Sequence, residues 1–192
     1  MPLTVIAGIW GGRKLKSPPR QVRPTSAILR RSLFDILGPA VAGKVVLDLY
    51  AGSGSLGLEA LSRGAMRCDF VERDRRTVNI ARENLAALTG EPEGARGRVH
   101  SGSVERWLER ESRALREYDL VLLDPPYGEP GLPGVLASLG LPGTLKEDAM
   151  VVVERRSDEH PAPVDGLLEV RRVTHGDSSL HLMRPVAVES EE

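Results

Sequence analysis

The sequence predicts an open α/β sheet, mostly parallel, with a terminal antiparallel hairpin and a small N-terminal extension. Three observations predict it. From Gly43 onward, short apolar runs alternate with segments whose apolar residues recur at helical spacing. Continuous apolar runs between helices mark parallel strands covered on both faces. The first run opens into a glycine-rich turn that leads directly into a helix, and two late runs flank a His-Gly-Asp-Ser turn.

Residues 1–23 form a basic segment punctuated by Gly and Pro. Residues 24–37 read as an amphipathic helix: Pro24 and Thr25 sit at its start, Leu29, Leu33 and Leu37 recur every four residues beside Ile36, and Gly38-Pro39 ends it. The first strand is Lys44–Tyr50, followed by the glycine turn and a helical segment around Leu56–Leu61. Cys68–Glu72 is the second strand. Asp74 caps a helix carrying Val78, Ala81, Leu85 and Leu88. Arg98–His100 is a short third strand, and Ser103 caps a helix with Val104, Trp107 and Leu108 inward. Asp119–Leu123 and Ala149–Val153 are the fourth and fifth strands. The stretch between them is so rich in Gly and Pro that no helix is assigned there from sequence. Leu167–Thr174 and Ser179–Met183 form the hairpin.

Composition narrows the class. The chain has 192 residues, one domain's worth, and should bury roughly 70% of its unfolded surface without staples. Cys68 is the single cysteine, so no internal disulfide forms, in keeping with a reducing, cytoplasmic setting. No apolar run approaches the ~20 residues of a membrane span, and the N-terminus lacks the pattern of a secretory signal. Secreted mini-proteins, membrane proteins and coiled coils are excluded.

The net charge of −1 hides a polarity. Residues 1–34 carry seven Lys/Arg and no acid, leaving 19 basic and 27 acidic residues for the rest. A basic segment on an acidic body suggests a polyanion partner, against the plainer reading of a solvated surface. His100, His160, His175 and His181 are scattered, so no metal site is expected. His181, in an alternating strand, reads as structural, and Trp10 and Trp107 as packing residues.

Two motifs carry chemistry. Gly52-Ser53-Gly54-Ser55-Leu56-Gly57 satisfies G-x-G-x-x-G between a strand and a helix, where glycines let a ligand approach the backbone. Glu72, twenty residues after Gly52, ends the next strand at the same sheet edge, where a carboxylate can accept from a ribose diol. That pair predicts an adenosine-containing cofactor. A nicotinamide dinucleotide and S-adenosylmethionine both qualify, and Asp48 leans toward the second. A carboxylate near the loop meets a positively charged methionine end but repels a pyrophosphate. Alternatively, Asp48 serves local backbone amides.

Asp124-Pro125-Pro126-Tyr127 follows the fourth strand at that edge. Two prolines stiffen the segment and remove its N–H groups. The set suits methylation of an amino group on a flat heterocycle. The Asp124 side chain and the Pro125 carbonyl hold the amine's N–H groups and aim its lone pair, while Tyr127 offers a stacking face.

In order along the chain, Ile6–Leu15 (IAGIWGGRKL), Arg23–Thr25 (RPT), Ser32–Leu37 (SLFDIL), Val46–Ala65 and Gly176–Leu180 (GDSSL) resemble the RsmD-type family of bacterial 16S rRNA guanine-N2 methyltransferases. The resemblance implies a Rossmann-like class I methyltransferase fold with S-adenosylmethionine as donor and S-adenosylhomocysteine as product. It implies transfer to the 2-amino group of a guanine in small-subunit rRNA, in a partly or fully assembled particle; a cytoplasmic location and a monomer are expected alongside. Residues 1–42 become an RNA-contacting extension, 43–186 the methyltransferase domain and 187–192 a flexible acidic tail.

By the same resemblance, Gly52 and Gly54 face the cofactor and Glu72 binds its ribose; Asp48, Ser53, Arg73, Ser103 and Val104 join them as candidate cofactor-binding residues. Asp124 to Tyr127 form the acceptor site, and Arg13, Lys14, Lys16 and Arg23 contact RNA phosphates. Ser103 stands where such folds usually carry Asp or Asn, which leaves adenine to backbone groups of Ser103 or Val104. Arg31 stands where the family's helix commonly has Glu, and His175 where Tyr is usual. The competing readings are a DNA adenine or cytosine amino-methyltransferase, a nicotinamide-dependent oxidoreductase and a non-catalytic RNA-binding assembly factor.

Overall fold

The computed structural model describes residues 2–18, 27–91, 94–159 and 162–186. Seven strands form one sheet: β1 (Val45–Leu49), β2 (Arg67–Glu72), β3 (Gly97–Ser101), β4 (Leu120–Leu123), β5 (Met150–Arg156), β6 (Leu167–His175) and β7 (Ser178–Pro185). Their order is β3-β2-β1-β4-β5-β7-β6. The first five strands are parallel, β7 runs antiparallel to β5, and β6 pairs antiparallel with β7. The order reverses between β1 and β4, and a parallel sheet opens a crevice at the carboxyl ends of strands at such a point.

Helices cover both faces, as the buried strands require. Helices α1 (Ala27–Leu37), α2 (Ser55–Ser62) and α3 (Arg75–Thr89) share one apolar cluster with Val46, Leu120, Leu122 and Val152 of the sheet. Helices α4 (Val104–Glu111) and α5 (Leu132–Gly140) pack against Leu47, Leu49, Val121 and Val153 on the other face. Asp74 caps α3 by accepting from Thr77 N at 2.8 Å, and Ser103 caps α4 through Arg106 N.

Two expectations need correction. The Gly/Pro-rich stretch after β4 does contain a helix, α5. Pro133 falls in its first turn, where a missing N–H costs nothing. Burial of Leu132, Val135, Leu136 and Leu139 then outweighs the weak propensity of its glycines. Strand β5 also runs past Val153 to Arg156, because Glu154, Arg155 and Arg156 pair with Leu180, Ser179 and Ser178 of β7. The N-terminal helix begins at Ala27 among the described residues, whereas Pro24, Thr25, Arg23, His160 and the acidic tail over 187–192 lie outside them.

The basic segment is docked over its described length. Val5 and Leu15 are buried in the first cluster. Glu59 of α2, wholly buried, accepts from Ile6 N at 2.7 Å and Ala7 N at 3.0 Å while pairing with Arg63 Nε at 2.7 Å. An acid in the apolar run of α2 thus pins the extension to the sheet. Trp10 is half-buried against the same cluster, with the Arg96 guanidinium 5.0 Å from its ring centroid.

Candidate active site

The turn after β1 is shaped by backbone conformation. Tyr50 has φ +60°, which strains a side-chain-bearing residue. Gly54 enters α2 at φ +84°. A Cβ on Gly57 would lie 2.4 Å from Cys68 Sγ and from the Phe70 ring, so only glycine lets α2 seat against β2.

A cavity of about 560 Å³ opens at the β1/β4 reversal. Tyr50 to Gly52, Ser55, Val71 to Arg73 and Ser103 to Glu105 line it, together with Asp124 to Tyr127, Glu154 and Arg156. The glycine turn and the Asp-Pro-Pro-Tyr segment therefore face one volume, although they lie some seventy residues apart in the chain.

The acids around this cavity differ in their bonds. Glu72 accepts from Gly52 N at 2.9 Å and from Asp74 N at 2.8 Å. A carboxylate offers about four lone-pair sites, so capacity for a diol remains. Asp124 is partly exposed at the end of β4. Arg73 reaches across to Glu129, at 3.5 Å. The Pro126 carbonyl accepts from Glu129 N at 3.0 Å and closes the turn after the motif. Tyr127 stands 40% exposed, its hydroxyl 2.7 Å from Ser178 Oγ and its ring centroid 5.7 Å from the Arg156 guanidinium carbon.

Asp48, Ser53 and Gly54 are not in that wall. Asp48 is 1% exposed and its Oδ2 accepts from Gly57 N at 2.9 Å, as its local reading expects. Burial pushes its carboxyl well above the usual range, and the nearby Asp124 and Glu72 charges push it further. Ser53 is buried, and its carbonyl accepts from Asn84 Nδ2 at 2.9 Å. Asp48 lies inside β1 and Ser53 and Gly54 within the turn, behind the wall, which spacing in the sequence cannot reveal. Conversely, Tyr50, Glu105, Glu154 and Arg156 line the cavity without having been singled out. Glu154 carried one signal, an acid closing a buried strand, as Glu72 does.

Of the basic residues, Arg13 donates to Ala87 O at 2.7 Å, Lys16 pairs with Glu83 at 2.8 Å and Lys14 is exposed. Asn84 bonds Lys16 N and O as well as Ser53 O, which clamps the basic segment to the glycine turn. His181 is buried between Glu169 and Ser179, and Trp107 is buried in the second cluster. Among the described residues no group of three or more His, Cys, Asp or Glu could hold a metal ion, and no helix is long and apolar enough to cross a membrane.

Comparison with known proteins gives concordant matches. The family model described as "Conserved hypothetical protein 95" matches residues 3–184. "Putative rRNA methyltransferase YlbH" of Bacillus subtilis is 36% identical over 91% of this chain and 94% of its own. "Ribosomal RNA small subunit methyltransferase D" of Haemophilus influenzae is 34% identical over 81% of this chain and 79% of its own. The solved structure "Putative methyltransferase yhhF from Escherichia coli" superposes with a TM-score of 0.82 at 31% identity, covering 98% of this chain and all of that one.

Proposed function

We propose that this chain, which belongs to the conserved hypothetical protein 95 family, transfers a methyl group from S-adenosylmethionine to the exocyclic N2 amine of a guanine in small-subunit (16S) ribosomal RNA. The observation that carries this reading is the shared cavity: Gly52, Glu72 and Asp124 to Tyr127 all line it. The names of the relatives favour it over the DNA amino-methyltransferase and nicotinamide alternatives.

The cavity fits the cofactor's parts. Glu72 keeps acceptor capacity for the ribose diol, Arg73 flanks it, and backbone groups of Ser103 and Val104 suit adenine because the Ser103 side chain is spent on its helix. The bound cofactor supplies an electrophilic methyl group on a sulfonium. The protein's work is then orientation. Asp124 and the Pro125 carbonyl accept from the target amine, direct its lone pair toward the methyl group and oppose the positive charge that grows on nitrogen. Tyr127, fixed by Ser178 and Arg156, supports the splayed base. Proton loss follows transfer, so no strongly perturbed base is needed. Asp48 acts indirectly by holding the Gly57 end of the turn.

Arg13, Lys14, Lys16 and Arg23 contact rRNA phosphates, with residues 1–42 as the RNA-contacting extension of the methyltransferase domain over 43–186. The enzyme works as a cytoplasmic monomer on a small-subunit particle. Mass mapping of 16S rRNA from a strain lacking the protein tests the reading. One N2-methylguanosine should be lost and should return with the wild-type gene. An unchanged methylation pattern would contradict it, as would purified protein that binds NAD but not S-adenosylmethionine.

A further inference from the structure

The acceptor end of the cavity holds a second carboxylate. Strands β4 and β5 are parallel with Leu123 beside Val153. Asp124 directly follows the end of β4, and Glu154 follows Val153 in β5, so both stand at the carboxyl edge of adjacent strands. Alternation along β5 puts Glu154 on the face that carries Val152 and Leu122. Both line the cavity, and Glu154 is 6% exposed. A base resting on the Tyr127 ring would share this cavity with both carboxylates.

That surface only accepts hydrogen bonds. Guanine offers it two adjacent donors, N1–H and the N2 amine. Adenine and cytosine place a ring-nitrogen acceptor next to their amine, which would set a lone pair against the Glu154 oxygens. Resting on the reading of the chain as a guanine amino-methyltransferase, we propose that Glu154 determines base specificity by accepting the N1–H of the target guanine while Asp124 accepts from its N2 amine. Two contacts on one edge also fix the base's rotation in its plane, which aims the amine.

A purely structural role would look different. Glu154 also borders a narrow apolar cleft with the buried Arg30. An acid serving only to balance that guanidinium would affect folding but not the choice of base. Glu59 is the acid that most supports Arg30's charge.

The experiment uses small-subunit particles reconstituted with 16S rRNA carrying either guanine or 2-aminopurine at the mapped position. 2-Aminopurine keeps the amine but has an acceptor at N1. Wild type should methylate it about tenfold less efficiently than guanine, or worse. Glu154→Gln, whose amide can donate to N1 of 2-aminopurine as well as accept from N1–H of guanine, should narrow the ratio about tenfold, with S-adenosylmethionine affinity unchanged. The same missing O6 faces both enzymes, so the change in ratio isolates the N1 contact. An unchanged ratio in a folded Glu154→Gln protein overturns the assignment while guanine transfer by wild type stands. If the variant fails to fold, equal wild-type rates on the two particles overturn it instead. Absence of guanine N2 transfer by wild type overturns the functional reading and this assignment with it.

Discussion

Two regions of the sheet hold constellations that look catalytic, and of the two only one opens on a cavity. At the antiparallel edge, His181 places Nε2 2.9 Å from Ser179 Oγ and Nδ1 2.6 Å from Glu169 Oε2, the spacing of a nucleophile, base and orienting acid. Ser179 and His181 are each 2% exposed, so the trio ties β6 to β7. At the parallel edge, Asp124, Glu72 and Glu154 surround an open cavity. The difference lies in strand order. Reversal between β1 and β4 opens a crevice, whereas continuous pairing of β5, β7 and β6 closes the other region. Access decides which polar cluster is a site.

The comparison breaks most readily at Asp124. Asp124→Ala should lower methyl transfer by about a hundredfold or more while cofactor affinity stays within a few fold, measured by turnover and by S-adenosylmethionine titration. Wild-type turnover would deny the cavity its chemistry. On the other side, His181→Ala should cost about 2 kcal/mol of stability in urea unfolding and leave turnover per folded molecule unchanged. Lost turnover with intact stability would make the buried trio a site after all.

Changing Arg13, Lys14 and Lys16 together to Ala should flatten the salt dependence of RNA binding by one to three units of slope, roughly. The Lys16–Glu83 pair is exposed and readily exchanged for phosphate. An unchanged slope would move the RNA footprint away from the docked basic segment.

The smallest effect is one of pH. Burial holds the His181 imidazole below its ordinary value, partly offset by Glu169. The folded protein keeps it neutral where the unfolded chain takes up a proton. The stability this contributes is complete above about pH 6.5 and declines as pH falls toward the lower folded value. Between pH 7.5 and 5.5, thermal unfolding of wild type should therefore weaken more than that of His181→Gln. Equal losses would place a charged imidazole in the fold.

What could be read from the sequence was whatever is local. Asp74 and Ser103 announce their helices, each strand's apolar run marks its position, and the two motifs name Gly52, Glu72 and Asp124 because each sits beside its own turn. Features that depend on pairing across the sheet were not legible. Glu154 reaches the cavity because β5 carries it to the carboxyl edge of the sheet, whereas Asp48, on the same face but inside β1, accepts from the Gly57 amide. Helix α5 was hidden because its glycines and Pro133 argue against a helix locally, while the apolar face of the sheet rewards one. Glu59 escaped notice for the same reason, since its partners Ile6 N and Ala7 N lie more than fifty residues away.

The claim beneath all of this is that donor and acceptor share one volume at the β1/β4 reversal. A crystal structure with S-adenosylhomocysteine bound tests it most directly. The account predicts the ribose hydroxyls on Glu72 and the sulfur facing the Asp124 carboxylate across open space. A ligand seated elsewhere, or a sulfur walled off from Asp124, would contradict it.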